Sequence, residues 1–96
     1  MASILFVFGQ TDPNEISAGK DVFEAQCLSC HNADSAEDKD GPGLKGVKDG
    51  KLPSSKPATR DTILDLVNKG RDAMRAFKDT LTDSQKQQVV SYVMSL

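Results

Sequence analysis

Residues 27–31 read Cys27-Leu28-Ser29-Cys30-His31, and this pentad decides which fold the rest of the chain can be expected to adopt. Two thiols three positions apart at the end of a helix can add to the two vinyl groups of one haem, and the histidine that follows is then placed to bind the iron. The pattern therefore predicts one covalently attached haem, with Cys27 and Cys30 as attachment points and His31 as an iron ligand.

Three other uses of a Cys-x-x-Cys pair fit this chain less well. A thioredoxin-like dithiol is expected at a strand-to-helix junction in an alternating βα pattern, which the sequence lacks. Structural zinc normally takes four Cys or His ligands, whereas the chain holds two cysteines and one histidine. A disulfide between Cys27 and Cys30 would close so short a loop that it would restrain little of the unfolded chain. The sequence therefore favours haem attachment.

The composition limits how large the hydrophobic core can be and which classes of partner the protein can bind. The chain has 96 residues, of which 38% are hydrophobic and 27% charged, with four Phe, one Tyr and no Trp. A domain this short has a thin interior, which a large apolar cofactor would supplement. The net charge of −2 argues against a nucleic-acid partner, whose phosphates call for excess Lys and Arg. Residues 1–40 hold eight acids and two bases, whereas residues 41–96 hold six acids and ten bases, so the charge is uneven.

Local signals predict three helices, and hence an all-α fold. Asp12, with Glu15 three residues later as a capping-box partner, predicts the start of the first helix, which runs into Cys27. Thr59 is the predicted N-cap of a second helix that ends in a basic turn followed by glycine. Thr82 is the predicted N-cap of a closing helix with an apolar stripe.

The remaining segments are interpreted as a tail and a long loop. Residues 32–57 are rich in Gly, Pro, Asp and Ser, and a loop of this length is expected in a compact domain if it wraps a cofactor. Residues 1–11 are interpreted as an N-terminal tail, either the remnant of a signal or anchor or a strand-like segment over residues 4–8. The apolar run there has no preceding Lys or Arg and is too short to span a bilayer. Residues 12–96 are the predicted monohaem domain.

Five motifs, in this order, resemble the class I cytochromes c of the short bacterial type. They are Gly19-x-x-x-Phe23-x-x-x-Cys27, the pentad, Gly41-Pro42-Gly43-Leu44-x-Gly46, Gly70-x-x-Ala73-Met74-x-Ala76-Phe77 and Val89-x-x-Tyr92. The resemblance implies the all-α cytochrome c fold, in which long loops wrap one covalently attached haem c. It also implies that the N- and C-terminal helices cross, with Gly19 at the point of closest approach.

The resemblance implies His31 as the proximal iron ligand and Met74 as the distal one. Because the chain has one histidine, two histidine ligands are excluded, and the soft methionine thioether is the next candidate for a low-spin haem iron. Met1 lies at the terminus, and Met94 lies on the closing helix, where methionine is usually a core filler. Proline commonly follows the ligand methionine in the family, whereas this chain has Arg75.

Five further positions are candidates for the surroundings of the haem. The resemblance implies that the backbone carbonyl of Pro42 accepts the N–H of the proximal imidazole, a bond that orients the ring; an ordinary turn proline is the alternative. The apolar side chains that would line the haem pocket are Leu44, Ile63, Val67 and Phe77. Plain core packing describes these four equally well.

With both axial positions filled, the iron has no open site, so the predicted function is single-electron transfer between partner proteins and not catalysis. Two alternatives stay open: a gas-binding sensor with a labile distal methionine, and the haem c domain of a larger oxidoreductase. The family forms its thioether bonds outside the bacterial cytoplasm. The resemblance therefore implies a periplasmic or otherwise extracytoplasmic protein, soluble or tethered.

Redox partner proteins are expected to dock at the exposed haem edge. Lys69, Arg71, Arg75 and Lys78 flank Met74 and would steer an acidic partner towards it. A solvated surface with incidental charge is the alternative. The chain is expected to be a monomer or weak dimer, without a membrane span and without a nucleic-acid partner.

Overall fold

The computed structural model describes residues 12–52 and 55–96, and this part of the chain is all-α, as predicted. Its helices are α1 (Pro13–Gln26), α2 (Arg60–Lys69) and α3 (Asp83–Met94), with a short 3₁₀ helix at Val47–Asp49. The predicted tail, residues 1–11, with its strand-like segment 4–8, lies outside the described residues. None of the helices described here combines the length and the apolar character needed to cross a membrane.

Each helix begins where a polar side chain satisfies the free N–H groups of its first turn. The Asp12 carboxylate accepts a hydrogen bond from the α1 backbone, as predicted for the first N-cap. Thr59 and Thr62 form a reciprocal capping box at α2, and Thr82 and Gln85 form another at α3. Because each cap lies next to the turn that it stabilises, the first residues of the three helices could be predicted from the sequence.

The first and last helices cross at Gly19. A Cβ atom at this position would overlap the carbonyl group of Gln88 and would lie 2.9 Å from Cβ of Tyr92, so the approach requires a residue without a side chain. Next to it, the rings of Phe23 and Tyr92 pack at a centroid distance of 5.3 Å and an interplanar angle of 55°. Val89, which is 2% exposed, fills the adjoining space. The predicted crossing of the terminal helices is confirmed.

Replacing Gly19 with leucine is expected to lower the free energy of unfolding by about 3 kcal/mol or more, because the added side chain must displace backbone as well as side-chain atoms. In a circular-dichroism melt of the holoprotein this loss corresponds to a midpoint lower by about 10 °C or more. Ser17→Leu, on the exposed side of the same helix, is the matched control. Equal melting of the two variants would contradict the crossing at Gly19.

A polar network joins the three helices at Ser91, whose side chain is fully buried. The hydroxyl of Ser91 donates to a carboxylate oxygen of Glu15 and accepts from Nη1 of Arg60 at 2.9 Å. Arg60 Nη2 also donates to Oε1 of Gln87 at 2.8 Å. The capping box predicted between Asp12 and Glu15 is therefore wrong, because the Glu15 carboxylate is used to satisfy a buried hydroxyl on another helix.

In its described parts, residues 32–52 and 55–57, the long connection between α1 and α2 is largely irregular, as predicted. Ala33 and Ala58 are buried in the hydrophobic core near the two ends of this connection, and the partly buried Leu44 packs against the same core. The loop therefore follows the surface of the helical core and brings the segment after the pentad close to the helices.

Candidate functional site

The pentad lies at the C-terminal end of α1, where the helix is followed by a hydrogen-bonded turn. Cys27 is the C-cap residue, and its N–H donates to the carbonyl of Phe23 at 2.7 Å. The N–H groups of Cys30 and His31 both donate to the carbonyl of Cys27, at 3.1 and 3.0 Å. Cys27 and His31 are half-buried, whereas Cys30 is exposed. Both sulfurs and the imidazole are therefore carried by one short hydrogen-bonded segment.

Backbone hydrogen bonds join the pentad to the loop that follows it. The N–H of Gly41 donates to the carbonyl of Cys30 at 2.7 Å, and the N–H of Leu44 donates to the carbonyl of Asn32 at 2.8 Å. Pro42 lies between these two bonds and is thereby held beside His31. The loop is thus a rigid support for the histidine side chain.

The orientation of the His31 ring is fixed by one hydrogen bond and by one missing side chain. Nδ1 of His31 lies 2.8 Å from the carbonyl oxygen of Pro42. Since a carbonyl oxygen only accepts, Nδ1 carries the proton, and Nε2 of the neutral imidazole keeps its lone pair. Gly41 faces the ring, and a Cβ atom there would overlap it, 2.8 Å from Nδ1. The imidazole is therefore held in the form and orientation that a metal ligand requires.

The two thiols differ in their surroundings. Burial raises the pKa of the Cys27 thiol to about 11, while the charge of Arg75 opposes this rise and the charge of Cys30 adds to it. A sulfur at position 27 is therefore uncharged at neutral pH, which suits a neutral thioether. A redox-active thiol instead has a lowered pKa, so the alternative of a thioredoxin-like dithiol fits the structure poorly. Among the described residues, no group of three or more His, Cys, Asp or Glu could hold a metal ion.

Met74 lies in a tight turn directly after α2. Its N–H donates to the carbonyl of Arg71 at 2.8 Å, and its carbonyl accepts from the N–H of Arg71 at 3.0 Å. Gly70 and Asp72 take left-handed backbone conformations, with φ of 71° and 53°. A Cβ atom at Gly70 would collide with the carbonyl oxygen of Met74, so glycine is required there. The turn holds the half-buried Met74 on a short, well-defined loop.

The turn that bears Met74 is attached to two different helices. The N–H of Phe77, whose side chain is buried, donates to the carbonyl of Val67 in α2 at 2.8 Å. Nη2 of Arg75 donates to Oε1 of Gln26, the residue before the pentad, at 2.7 Å. The structure therefore brings the loop of Met74 alongside the end of α1.

The four candidate pocket residues divide into two groups by burial. Ile63 and Phe77 are buried, whereas Leu44 and Val67 are half-buried. Leu44, Val67 and Cys27 pack against the hydrophobic core that contains Ile63. Half-buried apolar side chains on this core offer the kind of surface that a bound porphyrin covers. Core packing accounts for Ile63 and Phe77 without a cofactor.

Two of the four basic residues predicted to steer a partner are paired with acids of the same chain. Lys69 Nζ lies 2.9 Å from a carboxylate oxygen of Asp65, and Arg71 Nε lies 3.6 Å from one of Asp72. These groups are exposed, so the pairs contribute little stability but reduce the local positive charge. Lys78 is exposed, and none of the ion pairs found in the described part of the chain includes it.

Three residues of the site were not predicted from the sequence. Gly41 belongs to a quoted motif, but its contact with the imidazole appears only once the loop is folded. Gln26 binds the Met74 loop and has no distinguishing sequence signal. Leu28 is a large hydrophobic residue with 40% of its surface exposed. Its place between the two cysteines of the pentad was a signal in the sequence that could have identified it.

Comparison with known proteins decides the family. Residues 14–93 match the family model described as cytochrome c oxidase, cbb3-type, subunit III. The chain belongs to the class I c-type cytochromes. The cofactor of a c-type cytochrome is haem c with its iron, covalently bound, and the chain is an electron-transfer protein that carries one such group.

Relatives of this cytochrome include both short carriers and parts of larger subunits. It is 35% identical over 80 residues to cytochrome c6 of Leptolyngbya boryana, covering 83% of this chain and 91% of the relative. It is 36% identical over 88 residues to the cbb3-type cytochrome c oxidase subunit FixP of Sinorhizobium medicae, covering 84% of this chain and 30% of that subunit. Its structure is similar to cytochrome c6 of the diatom Phaeodactylum tricornutum, with a TM-score of 0.67 and 30% identity over 83% of this chain and 91% of the diatom protein.

The donor atoms of the site fit haem c. The pentad supplies two free thiols and an imidazole whose Nδ1 is bonded to a backbone carbonyl, and the turn after α2 supplies a thioether. Gly41 has no side chain to crowd the imidazole ring, and Cys27 packs against the same apolar core as Leu44 and Val67. Soft sulfur together with imidazole is a donor set suited to low-spin haem iron.

Proposed function

We propose that this cytochrome carries single electrons between extracytoplasmic partner proteins, with haem c held by Cys27 and Cys30 and ligated by His31 and Met74. The observation that carries the proposal is the hydrogen bond from Nδ1 of His31 to the carbonyl of Pro42, which leaves Nε2 free on the single histidine of the chain. The position of the Met74 turn alongside the end of α1 supports methionine as the second ligand. The proposed domain is residues 12–96.

Bound haem c supplies a centre that gains and loses one electron. The bond to Pro42 makes the imidazole of His31 more basic and keeps its ring from rotating. The soft thioether of Met74 would favour the reduced iron over the oxidised iron, which predicts a fairly positive midpoint potential. If His31 and Met74 both held the iron, no coordination site would be left for a substrate, so the proposal is an electron carrier and not an enzyme.

Apolar side chains at the site are proposed to exclude water. Leu44, Val67 and Cys27 are half-buried and pack against the core that contains Ile63, and Phe77 is also buried. A dry surrounding disfavours the extra positive charge of the oxidised iron, which raises the midpoint potential further. The same side chains limit rearrangement of solvent when an electron arrives or leaves.

A second candidate function is that of a haem c domain within a larger oxidoreductase. The match to the FixP subunit favours it, because this chain corresponds to 30% of that subunit's length. The site chemistry is the same in both cases, and the two candidates differ only in how partners are attached. Sequencing the complete open reading frame distinguishes them, since further domains on either side would support the second candidate.

Visible spectroscopy of the holoprotein tests the proposed ligation. The ferric protein is expected to be low-spin and to show the methionine-to-ferric-iron absorption band, and the reduced protein is expected to bind carbon monoxide slowly or not at all at neutral pH. Rapid binding of carbon monoxide by the unaltered protein would instead support a gas-binding sensor with a labile distal methionine. That result would overturn the carrier proposal.

Docking is proposed at the surface around the pentad and the Met74 turn. Leu28 supplies exposed apolar area there, and Arg75 and Lys78 supply positive charge. An apolar contact surrounded by positive charge fits an acidic redox partner. The site of action is proposed to be extracytoplasmic because the thioether bonds of the family form there, and the protein is proposed to act as a monomer or weak dimer.

Ionic strength tests the proposed steering. Electron transfer to an acidic partner is expected to slow as salt is added, and Lys78→Glu is expected to lower the low-salt rate by about tenfold, because steering by a few charges changes association rates by this order. Lys48→Glu, in the 3₁₀ helix, makes the same charge change elsewhere and is expected to have a smaller effect. Rates that do not change with salt, or equal effects of the two variants, would contradict docking at this surface.

A further inference from the structure

Arg75 follows Met74, at the position where the family commonly has proline, and its side chain makes two specific contacts. Nη2 donates to Oε1 of Gln26 at 2.7 Å, and the guanidinium carbon lies 4.9 Å from the centroid of the Phe77 ring. A planar guanidinium held by a hydrogen bond and by an aromatic face loses most of its freedom. Arg75 is therefore an ordered side chain although it is exposed.

The contact with Gln26 joins two parts of the site, the Met74 loop and the end of α1. The backbone bonds of the turn and the bond from Phe77 to Val67 fasten the Met74 loop to α2. In the described part of the chain, the bond from Arg75 to Gln26 is the one hydrogen bond between residues 71–77 and α1. Since α1 leads directly into Cys27, this bond ties the methionine loop to the haem attachment segment.

We propose that Arg75 is a positioning residue that, through Gln26, controls how firmly Met74 is held on the iron. The inference rests on the proposed function, because it takes Met74 as the axial ligand. A proline at position 75 would restrict the backbone of the loop directly. Arginine leaves that backbone freer, and its hydrogen bond to α1 supplies the restraint instead. When a competing ligand replaces the Met74 thioether, we expect the loop to move away from α1, which would break this bond.

Displacement of the methionine by imidazole tests the proposal on the ferric holoprotein. The loss of the methionine-to-ferric-iron band is followed as imidazole is added to the wild type, Gln26→Ala, Arg75→Gln and the double variant. Each single variant is expected to reach half-displacement at an imidazole concentration about five- to tenfold lower than the wild type, the effect of losing one solvent-exposed hydrogen bond of typical strength. The double variant is expected to match the single variants, because both remove the same interaction.

Lys78→Gln is the matched control, since it removes one positive charge from the same region without touching α1. It is expected to leave the half-displacement concentration within about twofold of the wild type. The denaturant midpoint of Gln26→Ala and Arg75→Gln is expected to fall by no more than the loss of one exposed hydrogen bond explains, because Arg75 is exposed and Gln26 is half-buried. Unchanged displacement in Gln26→Ala, additive effects in the double variant, or a fall of the denaturant midpoint much larger than one hydrogen bond explains would overturn the proposal. A wild type that lacks the band would contradict Met74 ligation itself, so the two failures are distinguishable.

Discussion

Replacing Met74 with alanine is expected to open the distal position of the iron while leaving the haem covalently attached. The reason is that Cys27, Cys30 and His31 are held by the end of α1 and by the loop around Pro42, which do not depend on the Met74 side chain. The methionine-to-ferric-iron band should disappear and carbon monoxide should bind rapidly to the reduced protein. The midpoint potential should fall by on the order of 100 mV, since the axial ligand is a principal determinant of haem potential.

Met94→Leu is the control for this experiment. Met94 lies in α3 and packs against the hydrophobic core, so a leucine of similar volume is expected to leave the spectrum and the potential unchanged. If Met94→Leu lost the band while Met74→Ala retained it, the assignment of the distal ligand would be wrong.

Replacing Gly41 with alanine is expected to disrupt the proximal side of the site. The new Cβ atom would overlap the His31 ring, which is held in place by its bond to Pro42, so either the ring or the loop must move. We expect a loss of about 3 kcal/mol in the free energy of unfolding, together with a partly high-spin spectrum as the imidazole leaves its orientation. Chemical denaturation and the visible spectrum of the holoprotein measure the two effects.

Gly50→Ala is the matched control for Gly41→Ala. At Gly50 the nearest atom to an added Cβ is the carbonyl oxygen of Val47 at 3.7 Å, an ordinary contact, and the backbone φ is −122°. Alanine there is expected to change the stability by less than about 1 kcal/mol. Identical stability and spectra for the two variants would show that Gly41 does not support His31.

The helices of this cytochrome were predictable because their signals are local. The N-caps at Asp12, Thr59 and Thr82 lie next to the residues they stabilise, so spacing alone identifies them. The same local rule fails for Glu15, which matches a capping box but binds Ser91, 76 residues away. A local pattern cannot reveal that a buried hydroxyl on another helix competes for the same carboxylate.

The residues that would bind the haem and its iron were predictable from the sequence, whereas most of the contacts that hold these residues in place were not. The pentad itself identifies the thiol and imidazole groups of the site. The bond between His31 and Pro42 was predicted only from the family resemblance. The pairing of Lys69 with Asp65 follows an i, i+4 spacing that the sequence does contain, although the prediction of a steering charge overlooked it. The contact of Arg75 with Gln26 spans 49 residues and depends on how the methionine loop packs, which spacing does not encode.

The central claim is that one haem is fixed to this chain through both sulfurs of the pentad. Mass spectrometry of the denatured holoprotein, after extraction with acidified organic solvent and treatment with an alkylating agent, tests it most directly. The peptide that contains residues 27–31 is expected to retain the red colour and the added mass of one haem, with neither Cys27 nor Cys30 alkylated. Colour in the solvent layer and two alkylated cysteines in a peptide of unmodified mass would contradict the account.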